Sequence, residues 1–316
     1  MKELISHELM LCLCASSLSV TVLKLVSSST LNHRAKLPMS LAKNYIVQAI
    51  LTFQMFSDKI DLVMWTCNSA KTLPIVLQRI SEVIPKENIN RKIITDDHSI
   101  DQTVEIAKSF GWEVYKNKGR SLQANKETAL SCVSTPVFAS FEHDILLSRD
   151  WWDKVSTALM SDPKVAVVQG IRLATDLKIR KLDEYIYAQR EYRSLDNNLY
   201  RTDVVKTFGL DDVHSALSMK QAGYSWLILD NVVSDHIRGG VIETVEHDLW
   251  IHLFSIHSFS IVQKINCLRM LLSSPIRAFD IALKTKCFSM LLFYPVDRLA
   301  IFVAYVTRPT TRNSIT

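Results

Sequence analysis

Glycine is scarce in this chain, and its cysteines lack the spacing that would give them a structural role. Only seven of the 316 residues are glycine, so loops that depend on glycine must be few. The six cysteines are scattered, and none of them form a C-x-x-C pair. This pattern argues against a zinc site and against a disulfide framework, and it indicates a reducing compartment.

The composition is that of a globular protein with a large core. Hydrophobic residues make up 48% of the chain and charged residues 22%, which excludes an intrinsically disordered protein. A chain of 316 residues is long enough for one large domain or for a domain with appendages. No internal repeat or low-complexity segment is visible.

The net charge of +5 is concentrated near the carboxyl end. From residue 260 onward, eight Lys and Arg residues stand against only Asp280 and Asp297, so the rest of the chain is nearly neutral. These basic residues are too dispersed for the dense stripe with which proteins bind nucleic acid. We therefore expect no nucleic-acid partner.

Residues 9–26 form an apolar stretch that is open to three interpretations. Lys24 and several serines interrupt it, and it is short for a membrane span of about 20 residues. A secretory signal normally begins with positive charge, whereas here Lys2 is outweighed by Glu3 and Glu8. A packed or peripheral helix, a membrane span and a cleaved signal all stay open, and the residues favour the helix.

Short apolar runs and helical patterns alternate from about residue 60. This order predicts parallel strands with helical crossovers, and hence an open α/β sheet. After residue 180 the alternation lapses into a helix, a polar loop, a second helix, one more strand and a mostly helical end. The predicted strands are 61–66, 92–95, 112–115, 136–141, 165–169 and 225–229, and the predicted helices are 71–83, 101–110, 121–132, 151–160, 181–194 and 211–222.

Polar clusters follow three of the predicted strands. The first strand runs into Cys67-Asn68-Ser69, the second into Asp96-Asp97, and the fourth into Glu142-His143-Asp144. Ligands of open α/β sheets bind outside the carboxyl ends of the strands. Carboxylates two residues apart on extended chain lie on one side, where their oxygens suit a hard divalent cation. Each cluster alone also fits a solvated turn or a helix cap.

Five motifs follow one another through the central part of the chain. They are the strand leading into NSAKTL, then DDHSIDQT, KGRSLQAN, FEHDILL and GLDDVHSALSMKQAGY, with VVSDH beyond them. Taken in this order, they resemble the motifs of a family 2 glycosyltransferase. The resemblance covers more than half of the chain and implies the nucleotide-diphospho-sugar transferase (GT-A) fold, an open, mostly parallel sheet flanked by helices.

The resemblance also implies roles for individual residues. Asp96 would receive the nucleotide base, and Glu142 would face the ribose. Asp144 would bind Mn²⁺ or Mg²⁺ between the two phosphates, with His236 as a further metal or phosphate contact. Asp212 matches the general base that deprotonates the acceptor hydroxyl in an inverting displacement. The implied pocket for the nucleotide sugar comprises Trp65, Thr66, Cys67, Asn68, Asp96, Asp97, Asn125 and Glu142.

The region before and after Asp212 is where the family approaches its acceptor. The candidates for acceptor contacts are Tyr200, Arg201, Asp211 and His214. Acceptors of the family are often lipid-linked, so the resemblance implies a lipid-linked or glycan acceptor. The apolar, basic stretch after residue 250 suits an anionic membrane surface, at the cytoplasmic face. A helical appendage that packs on the catalytic domain is the alternative.

The chain departs from the family pattern at several positions. The loop glycine of the second motif is His98, and the threonine after it is Ile100. Ala124 stands where an arginine usually precedes Asn125, and nearby Arg120 is a candidate substitute. These departures weaken any inference about the identity of the donor, because they fall in the loops that would contact it.

The predicted organisation has three parts. Residues 1–57 form a helical extension, 58–240 a GT-A catalytic domain, and 241–316 a basic helical region. A nucleotidyltransferase on a related sheet is a rival reading, but it would need a glycine-rich loop where this chain has TCNSAKT. A non-catalytic binding protein of the same fold is a second rival, against which Asp144 and Asp212 argue.

Overall fold

A computed structural model describes residues 59–119, 121–189, 192–211, 214–250, 259–307 and 310–311. All of them belong to one compact unit, which begins at residue 55. Residues 9–26, Arg120 and Asp212 lie outside the described residues, so the predictions made for them stay predictions.

The sheet has eight strands, and its first four neighbours in space are parallel. Its order is β3-β2-β1-β4-β7-β6-β8-β5, and a small two-stranded sheet pairs β9 with β10. The strands are β1 Ile60–Thr66, β2 Ile89–Asp96, β3 Glu113–Lys116, β4 Val137–Phe141, β5 Ile145–Leu146, β6 Val165–Ala174, β7 Asn197–Arg201, β8 Ser225–His236, β9 Phe259–Ser260 and β10 Thr310–Thr311.

Ten helices are described, and the last three follow the sheet. They are α1 Leu73–Val83, α2 Thr103–Ser109, α3 Leu122–Cys132, α4 Trp151–Ser161, α5 Leu177–Gln189, α6 Thr202–Phe208, α7 His214–Gln221, α8 Val241–Trp250, α9 Ile261–Thr285 and α10 Met290–Thr307. Short α/β units precede residue 175, as their alternating pattern predicts. The sheet flanked by helices and the helical C-terminal extension confirm the predicted fold class.

Apolar residues cover both faces of the sheet. Leu62 and Met64 of β1 point into a core with α1 and α4, whereas Val63 and Trp65 point into a second core with α6. The alternation follows from the two-residue period of a strand, and a strand buried on both sides has no polar face. This double burial makes β1 the central support of the site.

Strand β7 is the main feature that the sequence pattern did not predict. It lies between β4 and β6 and runs antiparallel to both, with Phe141 paired to Asn197 and Val137 paired to Arg201. The sequence pattern predicts a polar loop for this segment, because asparagine is depleted in strands in general. Its direction brings the beginning of β7, not its end, to the carboxyl edge of the parallel strands.

Candidate active site

Strands β2, β1 and β4 lie side by side and parallel, so their carboxyl ends meet at one edge. Thr66 at the end of β1 is in register with Asp96 at the end of β2. Glu142 follows directly after β4. The fold therefore brings together the three polar clusters that the sequence places after separate strands.

The carboxylate of Asp96 is buried and held by three donors. Its Oδ1 accepts hydrogen bonds from the hydroxyls of Thr66 (3.0 Å) and Ser99 (2.5 Å), and its Oδ2 accepts from the backbone N–H of Ser99 (2.8 Å). Charge-assisted hydrogen bonds of this kind are stronger than neutral ones. Asp96 therefore fixes the loop after β2 against the end of β1.

Asp97 faces a different set of partners. Its Oδ1 accepts from Asn117 Nδ2 at 3.0 Å and lies 3.2 Å from His98 Nδ1. Its backbone N–H donates to the carbonyl of Thr66 at 2.8 Å. Asp97 thus ties the loop to the segment after β3.

Two residues of these loops have left-handed backbone conformations. Asn68 has a φ of 49° and His98 a φ of 59°. The two loops are joined directly, since the backbone N–H of Ile100 donates to Asn68 Oδ1 (2.9 Å) and that of Asn68 donates to Ser99 Oγ (2.8 Å). A family glycine at position 98 would adopt this conformation without strain, so histidine is the costlier residue there.

The remaining residues of the predicted nucleotide pocket differ in their exposure. Trp65 is only 4% exposed and belongs to the second core, with Val63 and Ile93, so its role is to support the strand end. Asn125 is also buried, and its Nδ2 contacts the carbonyl of Thr66 at 3.4 Å. Cys67 is half-buried, and burial together with Asp97 raises the pKa of its thiol.

Asp144 and His236 meet across the strand pair β5 and β8. The Oδ2 of Asp144 lies 3.0 Å from the Nε2 of His236. Its Oδ1 is buried and has no hydrogen-bond partner among the described residues. Burial opposes ionisation of Asp144, but the hydrogen bond to His236 and nearby cationic groups outweigh it, so its pKa lies well below the usual range. Asp144 is therefore an ionised carboxylate with one oxygen available to a ligand.

A buried ion pair that the sequence did not predict contacts His236 and Glu142. Asp196, at the beginning of β7, pairs with Arg172 of β6, and its backbone carbonyl accepts from the N–H of Glu142 at 3.1 Å. Arg172 Nη1 also donates to His236 Nδ1 at 2.5 Å. Only the antiparallel course of β7 brings Asp196 here, and nothing in its sequence neighbourhood signals that course.

Burial and neighbouring charges change the protonation of Glu142 and His236. Burial, with Asp196 and Asp144 nearby, raises the pKa of Glu142 to about 7. Burial, with Arg172 nearby, lowers the pKa of His236 to about 3, so its imidazole is neutral at neutral pH. The site thus combines an ionised Asp144, a neutral imidazole and a carboxyl group able to carry a proton.

The donor atoms at Asp144 and His236 are of the kinds that bind a divalent cation, a carboxylate with one unpartnered oxygen and a neutral imidazole. His236 Nε2 lies 3.0 Å from Asp144 Oδ2 and 3.1 Å from Arg238 Nε, so it could bind a cation only after these contacts rearranged and Nδ1 took the proton. No group of three or more acidic, histidine or cysteine side chains fit to hold a metal occurs among the described residues, so further ligands would come from a diphosphate.

The structure places two of the predicted acceptor contacts away from this site. Tyr200 is fully buried and stacks on Phe138 with a centroid distance of 4.8 Å. Arg201 lies at the opposite edge of the sheet, where its guanidinium donates to the carbonyls of Val165 (2.9 Å) and Leu159 (2.8 Å). The expectation that these two residues touch the acceptor does not fit this placement, because β7 runs away from the site.

The other two predicted acceptor contacts lie at the beginning of α7. The backbone N–H of His214 donates to Asp211 Oδ1 at 2.6 Å, so Asp211 caps this helix. Asp212, the predicted base between them, lies outside the described residues. Its role therefore stays a prediction.

The sequence model of the family described as "Glycosyl transferase family 2" matches residues 61–219, just over half of the chain. The chain belongs to glycosyltransferase family 2. This glycosyltransferase is therefore an enzyme, and neither the nucleotidyltransferase nor the non-catalytic reading is retained. A comparison with curated proteins finds no significant match for it.

Solved structures are similar to this glycosyltransferase at low sequence identity. The mannosyltransferase PcManGT from Pyrobaculum calidifontis, in complex with GDP-Man and Mn²⁺, is 14% identical with a TM-score of 0.53, over 84% of this chain and 85% of that chain. Glucosyl-3-phosphoglycerate synthase from Mycobacterium tuberculosis, with Mn²⁺, UDP and glucosyl-3-phosphoglycerate, is 14% identical with a TM-score of 0.47, over 67% and 81%. S. aureus TarS with UDP-GlcNAc is 15% identical with a TM-score of 0.44, over 61% and 65%. The likeness to PcManGT supports the GT-A fold and, at this identity, nothing finer.

Proposed function

We propose that this glycosyltransferase moves a sugar from a nucleotide-sugar donor to a hydroxyl acceptor with inversion, assisted by Mn²⁺ or Mg²⁺. The observation that carries the proposal is the ionised Asp144, which has a free buried oxygen and lies beside His236 at the end of β8, on the carboxyl edge of the sheet. The presence of GDP-Man and Mn²⁺ in the PcManGT complex supports the same kind of donor and cation.

The proposed reaction exchanges one bond for another at the anomeric carbon. The acceptor oxygen forms the new bond, and the bond from that carbon to the diphosphate breaks, so the nucleoside diphosphate leaves with the electron pair. The acceptor proton passes to the predicted base Asp212. The cation, when bound, supplies positive charge that offsets the charge developing on the diphosphate.

Side chains of this chain hold the donor and its cation in the proposal. Asp144 and His236 bind the cation, and Glu142 faces the ribose, to which its proton-bearing carboxyl group can donate. Asp96 and Asp97 keep the loop after β2 in place for the base. Asp96 acts mainly through this loop, because both of its oxygens already accept hydrogen bonds.

We further propose that the enzyme works at the cytoplasmic face of a membrane, on a lipid-linked or glycan acceptor. Helices α9 and α10 each carry an exposed apolar stripe at three- and four-residue spacing, on the side away from the buried Ala278 and Ile281. The two outer stripes consist of Ile261, Ile265, Leu268, Leu272, Ile276, Phe279 and Leu283 on α9 and of Leu292, Val296, Leu299, Val303 and Val306 on α10.

Positive charge accompanies the outer stripes. Helical spacing places Lys264, Arg269 and Lys284 beside the stripe of α9, and Asp280 is paired to Lys284 at 2.9 Å. An apolar face bordered by basic residues suits an anionic lipid surface. By length and hydropathy α10 is the one described helix that could cross a membrane, yet a third of it is buried in the protein, which favours the surface position.

Nucleotide binding tests the proposed donor site. Calorimetry would measure the affinities of UDP, GDP and dTDP, with and without Mn²⁺, for the wild type and for Asp144→Asn. We expect one nucleotide to bind in a Mn²⁺-dependent way and the variant to lose at least tenfold in affinity. The matched control is Asp235→Asn, since Asp235 neighbours His236 in β8 but pairs with Arg180 instead. Failure of all three nucleotides to bind the folded wild type would overturn the assigned pocket.

A further inference from the structure

Arg238 lies beside the proposed cation site, just after the end of β8. The backbone N–H of Ile237 donates to the carbonyl of Asp144 at 2.7 Å, and Arg238 follows Ile237 in the chain. The Nε of Arg238 lies 3.1 Å from the Nε2 of His236, which in turn lies 3.0 Å from the Oδ2 of Asp144. The backbone therefore holds Arg238 next to both residues that would bind the cation.

Arg238 has no counterion among the described residues. Its side-chain hydrogen bond runs from Nε to His236, and an imidazole does not offset the charge of a guanidinium. Asp183 is near enough to interact with Arg238 electrostatically, but its Oδ2 accepts from the backbone N–H of Ala174 at 2.8 Å. Both Nη groups of Arg238 are thus without a partner in the part of the chain that the structure describes.

Other arginines of this region differ from Arg238, because each of them has a carboxylate partner. The pairs are Arg172 with Asp196, Arg180 with Asp235 at 3.3 Å, and Arg298 with Asp297 at 2.9 Å in α10. Charged groups that leave the solvent are usually paired in folded proteins. The half-buried guanidinium of Arg238 therefore lacks an anion of the kind that the others have.

A ligand can reach Arg238 from a cavity of about 510 Å³ beneath α9 and α10, which this residue lines. Arg172 lines the same cavity, but its guanidinium is already engaged by Asp196 and by the Nδ1 of His236. Of these two arginines, Arg238 is the one with free N–H groups.

The anion that suits this position is a diphosphate. A guanidinium stays charged in proteins, and its planar fork of N–H groups matches two phosphate oxygens. The unpartnered oxygen of Asp144 is of the kind that binds the cation accompanying a diphosphate. Because His236 contacts both Asp144 and Arg238, a diphosphate that shares a cation with Asp144 would lie one side chain away from Arg238.

We propose that Arg238 binds the diphosphate of the nucleotide-sugar donor through its two Nη groups and stabilises it as the leaving group. The inference rests on the proposed glycosyl transfer and adds to it a donor-binding residue that the sequence did not predict. When the bond from the anomeric carbon to the diphosphate oxygen breaks, the electron pair stays on that oxygen. The guanidinium offsets the negative charge that develops there, and it neither gains nor loses a proton.

Calorimetry separates a contact with the diphosphate from a general role in the pocket. The probes are the nucleoside diphosphate that binds the wild type with Mn²⁺ and the monophosphate of the same nucleoside. We expect Arg238→Met to bind the diphosphate at least about tenfold more weakly, and the monophosphate within about twofold of the wild type. Arg238→Lys should lose less than Arg238→Met, because an ammonium group keeps the charge without the planar fork.

Arg180→Met is the matched control. Arg180 has the same charge and lies on α5 in the same region, but its guanidinium pairs with Glu184 and Asp235. This variant is expected to bind both nucleotides as the wild type does. Urea denaturation of the three variants establishes that each is folded under the conditions of the calorimetry.

The outcomes separate this inference from the proposal on which it rests. Unchanged affinity for the diphosphate in Arg238→Met would overturn the inference and would assign Arg238 to an anion of the acceptor instead. Equal losses for the diphosphate and the monophosphate would also overturn it, since a residue that only supports the pocket weakens both. A wild type that binds no nucleotide would count against the proposed function itself, whereas both other failures leave Mn²⁺-dependent binding to the wild type in place.

Discussion

Asp96 and Asp97 are neighbours in sequence, and their mutual repulsion would weaken the fold if they shared one environment. They do not, because successive side chains at a strand end point to opposite sides. Asp96 turns inward to Thr66 and Ser99, whereas Asp97 turns to Asn117. Separate sets of donors offset the repulsion, and the pair joins the ends of three strands.

At His98 the chain departs from the family pattern, and the histidine has a left-handed backbone conformation. Its φ of 59° costs a non-glycine residue about 1 kcal/mol. We expect His98→Gly to raise the free energy of unfolding by up to about 1 kcal/mol, because glycine adopts this conformation freely. Urea denaturation would measure the change.

Asn68 provides the control for this prediction. It also has a positive φ, of 49°, but asparagine tolerates that region and its side chain accepts a hydrogen bond from Ile100. Asn68→Gly should therefore give no gain. A His98→Gly protein less stable than the wild type would show that the imidazole contact with Asp97 outweighs the backbone strain.

At the scale of secondary-structure elements, β1 is anchored at both ends by carboxylates. At its beginning Asp61 is fully buried, and its oxygens accept from Ser134 N (2.7 Å), Ser134 Oγ (2.9 Å) and Asn90 Nδ2 (2.8 Å). These bonds join β1 to β2 and to the segment that leads into β4. The strand order at the site depends on this junction at the far edge of the sheet.

Removal of this junction should be costly. Asp61→Ala removes a buried carboxylate together with several hydrogen bonds to it, so we expect a loss of about 3 kcal/mol in the free energy of unfolding. The control is Asp230→Ala in β8, whose carboxylate is exposed, with an expected change below about 0.5 kcal/mol. Urea denaturation compares the two, and similar effects would contradict the role given to Asp61.

The buried pair in α10 predicts a pH dependence of stability. Burial and the neighbouring Asp248 raise the pKa of Asp297 to about 6, although Arg298 opposes the shift. The unfolded chain has a pKa near 3.9 for this group, so the folded chain binds more protons between about pH 4 and pH 6. Stability contributed by this group is therefore present below pH 4 and is lost as pH rises to 6.

Asp297→Asn should remove this dependence. The difference in unfolding free energy between the variant and the wild type should grow in favour of the variant from pH 4 to pH 6, by at most about 3 kcal/mol. Urea denaturation at pH 4, 5, 6 and 7 measures it. A difference that stays constant over this range would mean that Asp297 keeps an ordinary pKa in the folded protein.

At the scale of the whole molecule, a family 2 catalytic sheet is combined with a helical layer whose outside is apolar. Ala278, Ile281 and Phe293 pack this layer onto α5 through one cluster, while the outer stripes face away from it. Exposed apolar surface of this extent usually marks an interaction site. The basic residues beside the outer stripe of α9 favour an anionic membrane over a neutral partner.

Vesicle binding tests this surface. We expect the wild type to cosediment more with phosphatidylglycerol vesicles than with phosphatidylcholine vesicles. Its binding to phosphatidylglycerol vesicles should weaken as the salt concentration is raised. Leu272→Ser combined with Ile276→Ser should reduce binding at least about tenfold, since each removes apolar area from the interface. Both side chains are more than 70% exposed, so the fold should be unaffected.

Ile242→Ser is the matched control for this surface. Ile242 is 76% exposed on α8 but lies outside the outer stripes. It should bind vesicles as the wild type does. Equal loss in both proteins, or equal binding to both kinds of vesicle, would argue against a membrane-facing role for α9 and α10.

Local sequence patterns were sufficient to predict much of the first part of the sheet. Alternating strand and helix periods up to residue 175 placed β1, β2, β3, β4 and β6 to within a few residues, and motif order identified the family. The polar residues after β1, β2 and β4 were predicted to meet because parallel strands share a carboxyl edge. These inferences needed only neighbours in sequence and one general rule of topology.

The residues that surround Asp144 could not be predicted from the sequence, because they come from segments that are distant along the chain. The direction of β7 is set by its pairing with β4 and β6, not by its own polar sequence, and it brings Asp196 to the site while taking Tyr200 and Arg201 away. Arg172 and the cavity beneath α9 and α10 likewise arise from contacts between residues distant along the chain. Burial and neighbouring charge, which shift the pKa values of Glu142 and His236, exist only once those segments have packed together.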